Sequence, residues 1–311
     1  MYIETRIVGN KKKYYLTHTY RLLDQVKKAR VYLGTNLPKE VLSQKIKDAE
    51  AVLEAKLTQA KTLKDPYKTT LSALELEELK TLQTRGKIEL VHLSEKDWEK
   101  FVEVFTYNTN AIEGSSVTQR EVANILQNDK WPNKSKEEIS ETRGVADAVS
   151  YIRKTREHFS LELLKKMHWL IFKNSKDFAG KFRSKGVEVA VFSATGLKIH
   201  QGAKSSEVVS LLNKLVKWYD KNKSEYPPVV LAAILHNQFE MIHPFEDGNG
   251  RIGRLILNNI LLKHKLPPVN IELKNRIPYY DSLKIYEATG DIRPMIELIM
   301  KEYKNLKQML K

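Results

Sequence analysis

Apolar residues recur at helical spacing along most of this chain. Between Pro228 and Ile242, the positions Leu231, Ile234, Leu235, Phe239 and Ile242 define a buried helix. A second begins after Gly250, with Ile252, Leu255, Ile256, Asn259 and Leu262 along one side. A third runs from about Glu95, where Trp98, Val102 and Phe105 keep the period and Gly114 supplies the stop. Nearer the N-terminus, Leu42, Ile46, Ala49, Leu53 and Leu57 predict a helix after Pro38, starting near Lys39. Asp65-Pro66 marks a break before another helix with Leu74, Leu76 and Leu79. Alternation with period two is confined to two places. Tyr2–Val8 and Lys11–Thr17 flank Gly9-Asn10, a good two-residue hairpin turn. Val187–Val191 alternates as a strand, Ala194-Thr195-Gly196 turns, and Leu197–His200 returns. The fold expected is mainly α, with a loop between two buried helices and two small hairpins.

Composition narrows the class. A chain of 311 residues with 41% hydrophobic content buries a sizeable core and leaves room for two domains. The longest apolar run, Val229–Leu235, is too short to span a membrane, and the N-terminus lacks the apolar stretch of a signal peptide. With zero cysteines there are no disulfides or thiolate metal sites, and the expected location is cytoplasmic. The net charge is +15, much of it from Lys11–Lys13, Lys27, Lys28, Arg30 and Lys301–Lys311. Such a charge admits a nucleic-acid partner, but no zinc-finger, RRM or helix-turn-helix pattern accompanies it. The charge by itself therefore points to solubility and to attraction of ATP or acidic targets.

The chemistry concentrates in His243-Pro244-Phe245-Glu246-Asp247-Gly248-Asn249-Gly250-Arg251-Ile252-Gly253-Arg254. Pro244 ends the preceding helix and favours an extended His243. Gly248 and Gly250 let the backbone approach a ligand, and the free N–H groups of the next helix form an anion site. Arg251 and Arg254 share a helix face and lean back toward that site. Their planar forks suit phosphate. Asp247 is a hard ligand suited to Mg²⁺ (or Mn²⁺), and His243 can accept a proton near neutral pH. Gly248–Gly253 also spells the dinucleotide fingerprint G-x-G-x-x-G, with Glu272 downstream. That fingerprint needs a strand before it, and here a helix precedes. His236 reads as a core histidine rather than a metal ligand.

His243–Arg254 resembles the signature of the Fic family, H-x-F-x-D-G-N-G-R-x-x-R, at every fixed position. The helix Ala233–Ile242 and the stretch Ala179–Arg183 with the following hairpin are similar to the family's too. The resemblance covers about residues 95–311. It implies a mostly helical bundle with a β-hairpin flap. Ahead of it, the hairpin and helices of residues 1–94 form a small α+β region, by position the natural place for target recognition or dimerisation. The resemblance further implies transfer of AMP from ATP to a Ser, Thr or Tyr hydroxyl of a protein. His243 would be the general base, and Asp247 would hold the metal. The backbone at Gly248 and Gly250, with the Asn249 side chain, would cradle the α/β-phosphates. Arg251 and Arg254 would bind the outer phosphates.

Thr109-Asn110-Ala111-Ile112-Glu113-Gly114 resembles the family's inhibitory pattern [S/T]-x-x-x-E-[G/N], on a helix over 95–114. There the glutamate pairs with the second motif arginine, here Arg254, and withholds it from ATP. In some relatives the same residue removes AMP, so a bifunctional enzyme stays open. Other donors (UTP, CDP-choline) and a non-enzymatic nucleotide- or nucleic-acid-binding regulator stay open as well. Phosphorylation fits less well, because the related Doc branch places Lys where Gly250 stands. The flap residues Val191, Thr195, Gly196 and Leu197 would dock a target segment by strand addition. Tyr279 and Tyr280, with Ile277 and Leu283, either wall an adenine pocket or belong to the core.

Overall fold

The computed structural model describes residues 1–22, 25–60, 79, 93–128, 131–192 and 198–309. The chain divides into two compact units, Met1–Asp65 and Pro66–Lys311, so the division falls earlier than the expected boundary at 94. The Asp65-Pro66 break and the helix at Leu74 and Leu76 lie outside the described residues. Leu79 is described as helical.

The first unit is a three-stranded antiparallel sheet carrying one helix. Strands β1 (Tyr2–Val8) and β2 (Lys11–Leu22) turn at Gly9, whose φ of 59° suits a two-residue hairpin. A third strand, β3 (Gln25–Thr35), pairs with β2, so the expected lone hairpin is a meander. Helix α1 (Lys39–Ala60) starts at Lys39, as its apolar period required. Leu16, Leu33, Ala49 and Leu53 form the core, with Ala29, Val31, Leu42 and Ile46 packed against it.

The second unit is helical. Its elements are α2 (Glu95–Ile112), α3 (Gln119–Gln127), α4 (Lys136–Lys154), α5 (Leu161–Phe172), α6 (Val208–Asn222), α7 (Pro228–Ile242), α8 (Asn249–Lys263), α9 (Arg276–Thr289) and α10 (Arg293–Met309). A short hairpin of β4 (Ala190–Phe192) and β5 (Lys198–Gln201) interrupts them. Every residue of α7 is buried, because α6, α8, α9 and α10 all pack on it. Pro228 opens α7 where its missing N–H costs nothing. Ser94 and Asp97 cap α2 reciprocally, which fixes the start of the helix that carries Glu113. Among the described residues no helix is long and apolar enough to cross a membrane.

Helices α4 and α5 touch through Gly144. A Cβ there would stand 2.6 Å from the Ile171 Cα, inside backbone rather than beside a movable side chain. Alanine gains roughly 0.5–1 kcal/mol over glycine in a free helix, whereas overpacking costs about 1–3 kcal/mol. The clash wins. Gly144→Ala is therefore expected to lower the urea midpoint followed by tryptophan fluorescence, since all four tryptophans belong to this unit. A raised midpoint would show that the two helices separate freely.

Candidate active site

The loop 243–248 joins α7 to α8, and its geometry begins with His243. This residue caps α7 in the left-handed region, φ 52° and ψ 62°, not in the extended conformation expected before Pro244. Its N–H still donates to the Phe239 carbonyl (2.9 Å), so the helix closes before the chain turns. A non-glycine residue stays in this region only where its surroundings over-determine it.

Arg183 does so. Its side chain is 0% exposed. The guanidinium donates from Nε to the His243 carbonyl (2.8 Å) and from Nη1 to the Val187 carbonyl (2.8 Å). Nη2 donates to the carbonyls of Ala203 and Ile242. One fork thus ties the end of α7 to both sides of the hairpin. It also explains why Val187 is not in a strand: its N–H closes a turn on Ser184, and β4 begins only at Ala190. Within the hairpin Val191 pairs with His200, while Thr195, Gly196 and Leu197 lie outside the described residues.

The imidazole of His243 has a defined tautomer. Nδ1 lies 3.1 Å from the Glu240 carbonyl, which can only accept, so Nδ1 carries the proton and Nε2 keeps its lone pair. Burial, reinforced by His200, pushes the His243 pKa down to about 4. The ring is therefore neutral at physiological pH and competent as a base.

The rest of the loop is held from inside. His168 stacks on Phe245 at 4.0 Å, accepts the Gly180 N–H at Nδ1 (2.8 Å) and donates from Nε2 to the Asp247 carbonyl (3.2 Å). Asn249 is buried and points back into the loop. Its Oδ1 accepts the Phe245 N–H and its Nδ2 donates to the Phe245 carbonyl, both at 2.9 Å. Its side chain is thus a staple and not the phosphate ligand expected. His236 is in the core as expected, 5.6 Å from the Tyr279 ring.

Helix α8 starts at Asn249, with Gly248 as its left-handed cap, φ 78°. Ile252 is the residue whose N–H reaches the Gly248 carbonyl, so the N–H groups of Asn249, Gly250 and Arg251 belong to the unpaired first turn. Gly250 is helical, so its φ is ordinary and the freedom expected of it is not used. What it provides is space. A Cβ there would stand 2.2 Å from Glu113 Oε1.

The Glu113 carboxylate thus lies against the start of α8. Glu113 is the C-cap of α2, and its Oε1 is 2.7 Å from Nη2 of Arg254. Arg254 is 1% exposed. It also donates to the Thr109 hydroxyl (2.8 Å), the Thr109 carbonyl (2.9 Å) and the Tyr279 hydroxyl (3.3 Å). Tyr279 is consequently part of the arginine's cage. Tyr280 packs beside it, and both border the cleft.

Arg251 does not turn toward the same point. Its Nη1 pairs with Glu141 of α4 at 2.5 Å, its guanidinium lies 4.6 Å over the Phe172 ring, and its Nη2 is 3.7 Å from Asp247. The Asp247 side chain is 48% exposed at the mouth of the loop. An open cleft connects these groups, bordered by Glu113, Glu240, His243, Asp247, Gly250 and Tyr280. Glu240 is buried between His243 and the helix start. Its Oε1 fills the notch left by Gly253, where a Cβ would stand 2.1 Å away. Burial, opposed by Arg254 and aided by Glu113, raises its pKa to about 8, so it is protonated at neutral pH.

A neutral base beside a glycine-lined helix start, with two arginines three residues apart behind it, defines a Fic-type site. Residues 158–261 match the Fic/DOC family, and the chain carries a domain of that family. Protein adenylyltransferase fic-1 of Caenorhabditis briggsae is 31% identical over 206 residues, which are 64% of this chain and 39% of that protein. The chain thus spans about two-fifths of the length of the curated relatives it matches. Among solved structures, a Fic-domain-containing signaling protein of Bacteroides thetaiotaomicron is 26% identical, with TM-score 0.65, over 75% of this chain and 95% of that one. Fic-1 (residues 134–508) of C. elegans is 25% identical, with TM-score 0.64, over 86% and 84%.

Three residues of the site escaped the sequence reading: Arg183, His168 and Glu141. Each has a partner 60 to 110 positions away, beside nearer ones for Arg183 and His168, and no local period reveals it. Arg183→Lys keeps the charge but loses the fork, leaving buried carbonyls unpaired. It is expected to cost about 2–4 kcal/mol by thermal unfolding and to shift the His243 ring signal in a ¹⁵N-histidine spectrum. An unchanged spectrum and midpoint would show that the left-handed cap holds without the clamp.

Proposed function

We propose that this chain transfers AMP from ATP to a hydroxyl of a protein, and that Glu113 restrains the reaction. The observation that carries the reading is the Glu113 carboxylate lying at Gly250 and on Arg254, where an anion is meant to sit. A polyphosphate needs the same N–H groups and the same guanidinium, so the two compete. The relatives named protein adenylyltransferase supply the donor and the reaction class.

With the phosphates seated on the first turn of α8, Nε2 of His243 would take the proton of the incoming hydroxyl. Arg254 would hold charge on the departing pyrophosphate. Catalysis would then consist of positioning and electrostatic stabilisation with one proton transfer. Arg251, fixed by Glu141 and Phe172, would steady Asp247 and screen the outer phosphates. The donors fit a divalent ion that takes most of its ligands from water and phosphate. Asp247 is half exposed beside the anion site, and among the described residues no cluster of three His, Cys, Asp or Glu could hold a metal alone. Asp247 would hold Mg²⁺ (or Mn²⁺), which when bound offsets phosphate charge. The β4–β5 hairpin, joined to the end of α7 through Arg183, is the proposed dock for the target segment.

The test is ATP labelled on the α-phosphate, with Mg²⁺ and intact mass. Glu113→Gly is expected to raise labelling of the protein or its target roughly tenfold or more, the scale of a coupling of 1–3 kcal/mol. Glu113→Gly/His243→Ala is expected to abolish it. Label absent from all three proteins across a nucleotide panel and a lysate would sink the reading.

The pH profile is a second check. A base with a depressed pKa is present above that pKa and lost as pH falls through it. Labelling by Glu113→Gly should therefore stay level through the neutral range and decline only toward pH 4. Half-loss near pH ~6.5, the ordinary histidine value, would mean that the ring is not buried during turnover.

A further inference from the structure

The N-terminal unit carries a surface with a chemistry of its own. The strand register places Tyr2, Glu4 and Arg6 of β1 beside Thr17, Tyr15 and Lys13 of β2, and Tyr15 and Thr17 beside Tyr32 and Arg30 of β3. Leu16, Val31 and Leu33 alternate with them and belong to the core beneath α1. Contacts agree with this sidedness. Glu4 bridges Arg6 and Arg30, both at 2.8 Å. The Arg6 guanidinium lies 5.3 Å over the Tyr15 ring, Tyr15 is 5.3 Å from Tyr32, and Lys28 lies 5.9 Å over Tyr2. The face away from α1 is thus largely basic and aromatic, with Tyr2 43% and Tyr32 54% exposed, Thr17 buried beneath its neighbours, and Val8 and Val26 exposed toward its ends.

Its charge is concentrated. Residues 1–35 contain eight lysines and arginines against Glu4 and Asp24, and the register puts Arg6, Lys11, Lys13, Lys28 and Arg30 on this face. Lys13 stands directly opposite Arg6. Like charges in that position destabilise a sheet, and a bound polyanion offsets the repulsion. The one carboxylate on the face, Glu4, is held ionised to about pH 2 by Arg30 and Arg6, and it orients both guanidiniums.

We propose that this sheet face binds double-stranded DNA. Lys28 and Arg6 cover one face each of the Tyr2 and Tyr15 rings, so the surface offers ammonium, guanidinium and hydroxyl groups, with Tyr32, among the described residues, the ring left without a cation over it. Those groups contact phosphates and base edges and do not form an open stacking platform. The B-DNA major groove, about 12 Å wide, admits a two-stranded β-ribbon, and two adjacent strands of this sheet, about 4.8 Å apart, present the width of one. Charge complementarity supplies the affinity, as counterions leave the duplex.

The test uses the full chain and a labelled mixed-sequence duplex of about 30 bp, with anisotropy read from about 50 to 200 mM salt. Binding is expected to weaken with a log–log salt slope of about −3 to −4. Lys13→Glu/Lys28→Glu should lower affinity at least tenfold and flatten the slope by about two. Lys45→Glu/Lys47→Glu changes the net charge equally on exposed positions of α1, and it should stay within about twofold of wild type. Thermal melts confirm that both variants fold. Absence of duplex binding at the lowest salt, equal loss from the two pairs, or equally tight binding of the single strand would each overturn the proposal.

Discussion

A buried guanidinium organises the catalytic unit. Arg254 has almost no contact with solvent, and a charge so placed must be compensated. Thr109 and Glu113 from α2 and Tyr279 from α9 converge on it, so two distant helices are fixed against α8 by one group. Breaking a buried pair by removing one partner costs about 3–5 kcal/mol. The cost here lies below that range, because the Glu113 side chain keeps 32% of its exposure. The pair is therefore weaker than a fully buried one, and under the proposed function it would give way to another anion. What can replace Glu113 is a group that is negative, compact and able to lie against Gly250, and a phosphate satisfies all three.

The glycines explain why the exchange is sterically permitted. Gly250 leaves the volume that a carboxylate oxygen now fills, and Gly253 leaves the volume for Glu240 one turn deeper. Both positions accept a side-chain oxygen where another residue would place carbon. The loop ahead of them owes its shape to groups that never need to meet a ligand. Asn249 closes it onto Phe245, His168 supports it from α5, and Arg183 holds His243 in the left-handed region. The reactive atoms are thus positioned by a shell of buried hydrogen bonds whose own chemistry is inert at neutral pH. His168, for example, is kept neutral by burial, with its pKa near 4.

Much of this was legible in the sequence, and the misses are physically consistent. The helices Pro228–Ile242 and Glu95–Ile112 and the turn at Gly9 were readable because period, proline and glycine all agreed locally. The pairing of Glu113 with Arg254 was readable through the resemblance, and the structure brings the two together. Strand β3 was missed although Ala29, Val31 and Leu33 alternate, because the intervening Lys28, Arg30 and Tyr32 read as a solvated basic run. Those residues are the outer face of the sheet. His243 departed from its pre-proline preference because Arg183 rewards the other conformation with buried bonds. Asn249 and Gly250 were in the right place with the wrong work. Local pattern locates a polar or small residue, and only tertiary contacts decide whether it touches the ligand or the scaffold.

The proton inventory of the cleft links the restrained and open states. With Glu113 in place the cleft holds two carboxyl groups near one guanidinium, and only one carboxyl is ionised. Glu113 is the charged partner, and its negative charge helps keep the proton on Glu240. Under the proposed function an incoming polyphosphate, also negative, would take the same position, and Glu240 would stay protonated and His243 neutral. Withdrawing Glu113 without an anion to follow is a different event. The repulsion from Glu113 is gone and the attraction of Arg254 remains, but burial, the largest cause of the raised pKa, still favours the protonated Glu240. A carboxylate there lies 3.8 Å from Nδ1 of His243, where it would favour the protonated ring. Burial, the largest cause of the shift at both Glu240 and His243, is common to the two events, and it is what keeps the His243 ring neutral.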